Sequence, residues 1–362
     1  MDDTDSQAVA VGTARATPGT CDTGFLEVTD LPTGGPERIP IVVARGDREG
    51  PTLWVTGGIH GNEMTGVATA QDVLADGVPA GLRGTVVCAP MCNPAGIRRG
   101  VRTSYYHDDD PNRFFPASDA GDTTGTRVQE LIDERVYDAI VDSADALLDL
   151  HTAQVGSVPF VIRDRVLYGE RREQAAATAL AEELAALTGA LGIPVVTEYP
   201  AEEYADRNLH RSTAGAVLNE AGIPALTLEL GGHDTIDEGV RAAGLAGVYR
   251  AMVHLEMLSG VPTRIADADP GFESPVDYEV RRFVGPRAPV AGFCRPAIEP
   301  GVPFESGREI ARVVSPHGDA QAGLEAPHDG YVLGWRSPVT YENDAVASLA
   351  VRDEGPMVAP RD

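Results

Sequence analysis

Residues 52–77 read TLWVTGGIHGNEMTGVATAQDVLADG, and three textures follow one another within them. TLWVTGG is an apolar, β-branched run closed by two glycines, which predicts a buried strand. IHGN is too short and too glycine-flanked for anything but a turn. From Glu63 the apolar residues recur at helical spacing and stop at Gly77, which predicts a helix. A buried strand that turns directly into an amphipathic helix is the repeating unit of an α/β fold.

The alternation continues on both sides. IPIVVA (39–44), GTVVCAP (84–90), ADALLDLH (144–151), VPFVIR (158–163) and IPALTLELGG (223–232) read as strands. Residues 124–143, 168–192, 212–222 and 238–258 carry helical periodicity. The expected fold class is therefore α/β, with a central, mixed and mostly parallel sheet flanked by helices. From Ser259 onward no helix is expected. Short apolar runs such as YEVRRFV, GREIARVV, GYVLGW and AVASLAV alternate with Gly and Pro. That pattern divides the chain into an acidic N-terminal segment with the first strands (1–37), a main α/β domain (38–262) and a small all-β domain (272–355), joined by a linker near 259–274.

Charge is the anomaly of the composition. The 362 residues hold 55 acidic against 29 basic side chains, a formal net charge of -26, and every basic residue is Arg. Such a surface offers no basic footprint for nucleic acid and is repelled by anionic membranes. It fits a cytoplasmic protein of a salt-rich cell, whose carboxylates are screened by abundant cations. The first twenty residues lack a basic region followed by an apolar run, so no signal peptide is expected. No apolar stretch approaches the length of a membrane span. Cys21, Cys88, Cys92 and Cys294 match neither a disulfide framework nor a common zinc ribbon, and read as free thiols.

Against that acidic background a few charged residues stand in the wrong place for solvation. His60 and Glu63 lie three apart where a strand enters a helix, beyond the strand's carboxyl end, where α/β sheets collect their ligands. At that spacing both can face one divalent ion. His151 ends the apolar strand ALLDLH and supplies a third ligand, with Asp149 on the same strand face to support it. Glu229 sits inside the apolar run LTLELGG, where burial raises a carboxyl toward neutrality and suits it to general base and acid work. The stretch 93–116, NPAGIRRGVRTSYYHDDDPNRFFP, is a long irregular loop that concentrates Arg98, Arg99, Arg102, Asn112 and Arg113. Its planar donors suit a carboxylate or a developing oxyanion.

GGIHGNE, the NP…R…NRFFP loop, DLHT and LELGG, in that order, resemble the succinylglutamate desuccinylase/aspartoacylase family of zinc carboxypeptidase-like hydrolases, over about residues 38 to 350. The resemblance implies one zinc ion held by His60, Glu63 and His151, with Glu229 as general base and acid. It implies Arg102 as the carbonyl-polarising Arg, with Arg99 as the alternative, and Asn112 with Arg113 as the carboxylate-binding pair. Asp110-Pro111-Asn112-Arg113 stands where the family usually reads Asp-Leu-Asn-Arg. The C-terminal part resembles the family's small β domain and also lipoyl- or biotinyl-type sandwiches. With no Lys to modify, a swinging-arm role is excluded, and the expected roles are shaping the site and subunit contacts in a homo-oligomer. Tyr341 is a further candidate for reaching substrate.

The function so implied is a zinc-dependent deacylase that hydrolyses the amide bond of an N-acyl amino acid or similar small amine: succinylglutamate, acetylaspartate or acetylated diaminobutyrate. A metallocarboxypeptidase acting on peptides and a non-catalytic metal- or ligand-binding protein are the alternatives.

Overall fold

The computed structural model describes residues 8–116, 127–169 and 171–361. Residues 1–7 of the acidic start and 124–126 of the expected second helix lie outside them. Twelve strands form one mixed sheet, ordered Pro303–Phe304, Gly330–Trp335, Ala347–Arg352, Val280–Val284, Val195–Thr197, Phe160–Arg163, Ala225–Gly232, Ala146–Ala153, Arg48–Gly57, Arg83–Ala89, Pro36–Arg45, Thr20–Asp30. Its centre is parallel: Ala146–Ala153 runs alongside both Arg48–Gly57 and Ala225–Gly232. These strands are buried on both faces, which is why they read as continuous apolar runs. Leu53, Trp54, Val55, Leu147, Leu148, Leu226 and Leu228 are all 0% exposed.

Helices cover the faces. Met64–Asp72, Val128–Val141, Gln174–Ala190 and Glu238–His254 are the longest. The first begins at Glu63 and packs so tightly on the Ala146–Ala153 strand that a Cβ on Gly66 would lie 2.6 Å from the Leu150 carbonyl oxygen. No helix among the described residues is long and apolar enough to cross a membrane. The four cysteines are free, and all but Cys21 are buried.

Two features depart from the sequence-based expectation. Residues Thr263–Ala268 form a short helix, started by Pro262 at the cap position and anchored by the buried Ile265. Six residues are too few for a periodic signal. The C-terminal strands also do not stand apart from the main sheet. They have an apolar cluster of their own around Ile310, Val313, Val332 and Leu349. A four-stranded sheet, ordered Ala320–Glu325, Glu309–Val314, Gly292–Pro296, Val339–Thr340, belongs to this part alone. Yet Val280–Val284 joins the central sheet beside Val195–Thr197, through Thr197 and Arg281, and carries Ala347–Arg352 and Gly330–Trp335 with it. That junction delivers C-terminal side chains to the carboxyl-end cavity.

Candidate active site

Three parallel strands end side by side and present the site. Arg48–Gly57 runs out through Gly58, whose φ of +66° a residue with a Cβ rarely adopts. The turn then presses Gly61 against the Asn93–Ile97 segment, where a Cβ would meet the Gly96 carbonyl carbon at 2.0 Å. This brings His60 and Glu63 over the sheet end. On the neighbouring strands, Glu229 is the direct register partner of His151.

His60, Glu63 and His151 are all buried, and one ligand atom from each lies within 4.8 Å of the others. His60 Nδ1 is 2.7 Å from Glu63 Oε1, His151 Nδ1 is 2.8 Å from Glu63 Oε2, and the two Nδ1 atoms are 3.2 Å apart. Each imidazole is oriented from behind by a carboxylate. Asp149 Oδ2 meets His151 Nε2 at 2.8 Å and is itself braced by the Thr56 hydroxyl, which donates to Oδ1 at 2.7 Å. Asp110 Oδ1 meets His60 Nε2 at 3.0 Å. Two Nδ1 atoms and a carboxylate lie close together, with both Nε2 atoms taken by carboxylates, an N,N,O donor set with outer partners that could hold a divalent metal ion such as zinc. The residues fit such an ion.

The electrostatics agree with that geometry. Burial works to raise Glu63, but the His60 and His151 imidazoles outweigh it and hold the carboxyl below its ordinary range. Burial works to lower His151, but Asp149 and Glu63 outweigh it and hold the imidazole's pKa well above its ordinary value. Glu229 differs. Burial first, and then the Glu63 charge, push its carboxyl up, and its Oε2 is buried without a hydrogen-bond partner.

A cavity of about 810 Å³ opens over this centre and is lined by Glu63, Arg102, Asn112, Arg113, His151 and Glu229 among others. Arg102 enters it between Glu63 (3.2 Å) and Asp110 (2.8 Å). Arg98 is turned away onto the fully buried Glu37, and Arg99 is exposed and does not line the cavity. Asn112 is locked by its side-chain oxygen, which accepts from the Thr213 backbone N–H (2.7 Å) and hydroxyl (2.9 Å). Arg113, beside it, has no ion-pair partner among the described residues, and its guanidinium donates to the Asn112 carbonyl. Tyr341 is 69% exposed and lies outside the cavity lining, so that candidate is withdrawn.

Sequence reasoning missed six charged groups that line the cavity: Asp110, Asp164, Glu198, Arg207, Arg282 and Arg336. Asp110 was hidden in the acidic run HDDD. Glu198 and Arg282 form an ion pair, and Arg282 comes from the C-terminal strand Val280–Val284. The available signal was the one that marked Glu229, a charge set in an apolar strand: Arg282 in YEVRRFV and Asp164 just after FVIR.

Residues 49–255 match the model of the succinylglutamate desuccinylase/aspartoacylase catalytic domain. An N-α-acetyl-L-2,4-diaminobutyric acid deacetylase from Halomonas elongata is 28% identical over 336 residues, 90% of each chain. Among solved structures, a succinylglutamate desuccinylase/aspartoacylase from Rhodobacter sphaeroides superposes with a TM-score of 0.72 at 23% identity, covering 92% of this chain and 96% of that one. The product-bound ectoine utilization protein EutE (DoeB) of Ruegeria pomeroyi gives 0.72 at 22% identity, covering 95% and 98%.

Proposed function

The chain belongs to the succinylglutamate desuccinylase/aspartoacylase family, and on that premise we propose that it is a zinc-dependent deacylase hydrolysing the amide bond of an N-acyl amino acid or similar small N-acylated amine. The observation that carries this reading is Glu229: a half-buried residue whose carboxylate Oε2 is buried and unpartnered, set beside His60, Glu63 and His151 in a cavity that arginines also line.

His60, Glu63 and His151 would hold the ion. When bound, zinc supplies a Lewis acid that polarises the acyl carbonyl and acidifies water. Glu229, its carboxyl raised by burial, accepts the proton of the attacking water and passes it to the leaving nitrogen. Arg102 is fixed between Glu63 and Asp110 and places positive charge where the acyl oxygen becomes anionic. Asn112 presents its amide nitrogen beside Arg113, and the two receive the substrate carboxylate. Holding the Asn112 oxygen on Thr213 fixes which end of the amide faces the substrate.

Arg282, Val284, Arg336 and Ser348, all from the C-terminal part, close one side of the cavity, which favours small substrates over peptides. We assign 38–262 as the hydrolase domain and 272–355 as a domain that completes its wall. The acidic surface supports a cytoplasmic, salt-adapted setting.

The test is a hydrolysis screen of N-acyl amino acids and short peptides in high salt, with metal content measured in parallel. Amide hydrolysis that follows zinc content and spares peptides is the expected result. Metal-replete protein inert on every acyl amino acid would overturn the assignment.

A further inference from the structure

Arg102 enters the cavity from a loop whose own support lies outside it. Its guanidinium meets Glu63 at 3.2 Å and Asp110 at 2.8 Å, and its carbonyl accepts from the Gly61 N–H at 3.3 Å. The residues that flank it turn the other way. Arg98, four residues before Arg102, forks onto Glu37 with Nη1 on Oε2 and Nη2 on Oε1, both at 2.9 Å. Tyr106, four residues after it, donates its hydroxyl to the same Oε2 at 2.5 Å. Arg98 Nη1 also donates to the Tyr105 hydroxyl at 2.9 Å, which ties the two flanks to each other. One carboxylate thus holds both shoulders of the Arg102 turn, and none of Glu37, Arg98, Tyr105 and Tyr106 lines the cavity.

Glu37 is a rigid anchor. It lies on Pro36–Arg45, which sits in the twelve-stranded sheet between Arg83–Ala89 and the edge strand, and it is 0% exposed. Stability does not account for a carboxylate there, because desolvation offsets most of what a buried ion pair gains. What the pair supplies is geometry, since a planar two-bond fork fixes distance and direction together. The chain between Arg98 and Arg102 passes that constraint on. The Arg99 and Val101 N–H groups both donate to the Gly96 carbonyl, and the Gly100 N–H donates to that of Ile97, each at 3.1 Å. With Arg98 fixed, so tight a turn leaves Arg102 little freedom.

We infer that Glu37 is a positioning residue: by clamping Arg98 and Tyr106 it sets the place of the Arg102 guanidinium over the reacting carbonyl, while lining no part of the cavity itself. This rests on the role given to Arg102 in the deacylase reading above.

The experiment is a double-mutant cycle between Glu37→Gln and Arg102→Met, read by kinetics on N-acyl amino acids at saturating zinc, with thermal midpoints measured on each protein. Glu37→Gln strands no buried charge, because Arg98 is half-exposed. It should lower kcat roughly ten- to a hundredfold, the cost of misplacing a group by about 1 Å, with KM little changed. Arg102→Met should cost roughly a hundred- to a thousandfold. On that background Glu37→Gln should add almost nothing, because no guanidinium is left to place. Tyr106→Phe, which removes one support and keeps the carboxylate, should lose less than Glu37→Gln and vanish in the same cycle; it guards against misfolding of the first variant. Full kcat in Glu37→Gln, or the same fold-loss with and without Arg102, overturns the inference and leaves Glu37 as a structural ion pair. Hydrogen exchange over residues 97–106 of the metal-free proteins gives a readout apart from turnover. Should the unmutated protein hydrolyse no N-acyl amino acid, the deacylase reading falls and exchange decides alone. Faster exchange there in Glu37→Gln, with protection of Ala146–Ala153 unchanged, supports Glu37 as the anchor of the Arg102 loop, and equal exchange overturns it.

Discussion

Glu229 and His151 face each other as register partners on adjacent parallel strands. One carboxylate therefore stands beside the His60–Glu63–His151 cluster without belonging to it, since the His151 ring is already committed to Glu63 and Asp149. That separation of roles predicts how Glu229→Gln should behave. The amide is nearly isosteric and the His60, Glu63 and His151 side chains are untouched, so metal content should match that of the unmutated protein. Turnover should fall roughly a hundred- to ten-thousandfold, the usual worth of general acid–base catalysis. Metal analysis and steady-state kinetics on the same preparation check both halves.

The two supporting carboxylates should differ in effect. Among the described residues the Asp149 carboxylate hydrogen-bonds with the Thr56 hydroxyl and the far nitrogen of His151, so Asp149→Asn should weaken zinc binding by about ten- to a hundredfold, typical of such outer partners. Asp110 divides its oxygens between His60 and Arg102. Asp110→Asn should therefore lose turnover even when zinc is held saturating, because Arg102 loses an anchor. Zinc titration with a competing chelator, followed by kinetics at saturating metal, separates the two.

The His60–Glu63–His151 cluster and its neighbour Glu229 were legible in sequence because each residue breaks a local rule. A His and a Glu sit at a glycine turn, a His ends an apolar strand, and a Glu lies inside another. Asp110 broke no rule, being one acid in a run of three, and only the folded loop shows that it faces His60. Arg282 and Glu198 lie 84 residues apart and meet only because Val280–Val284 joins the sheet beside Val195–Thr197. No local periodicity carries that pairing. The strand Thr20–Asp30 was expected only as one of the first strands within residues 1–37, without bounds, for a related reason: it forms the sheet edge, is mostly half-exposed, and lacks clean alternation.

Asp133 gives a stability prediction with a defined sign. It sits on the buried face of the Val128–Val141 helix, accepts from Gln129 Nε2 at 2.8 Å, and leaves its Oδ2 buried and unpartnered. Burial raises its carboxyl well above the usual range, with Glu130 and Asp110 adding to the shift and the Gln129 bond opposing it. The unfolded chain ionises this group at a lower pH than the folded one does. Stability is then lost as pH rises through the unfolded value, and the loss is present at neutral pH. Asp133→Asn keeps the acceptor for Gln129 but removes the group that must ionise, so it should raise stability at pH 7 and change it little near pH 3. Urea denaturation of both proteins at the two pH values is the check.

The net charge of -26 predicts a second dependence. Self-repulsion across the surface is screened within about 3 Å at 1 M salt but reaches roughly 10 Å at 0.1 M. The thermal midpoint should climb as salt rises from about 0.1 M to molar levels. A flat or falling midpoint would mean that the acidic surface is not a salt adaptation.

The ion pair between Arg282 and Glu198 binds the C-terminal part to the cavity wall, and a double-mutant cycle should separate its structural from its functional share. Glu198 is 3% exposed, so Arg282→Met strands a buried carboxylate and should cost roughly 2–4 kcal/mol, somewhat less than for a fully buried pair because Arg282 keeps some contact with solvent. Glu198→Gln in the same chain removes the stranded charge, and most of that stability should return. Activity should not return with it. Arg282 lines the cavity, stacks its guanidinium 5.2 Å from the Tyr199 ring, and faces Glu229, whose charge its own helps to balance. Recovery of both stability and kcat/KM in the double variant would reduce Arg282 to a structural strut. Recovery of stability alone would make the C-terminal strand a working part of the active site.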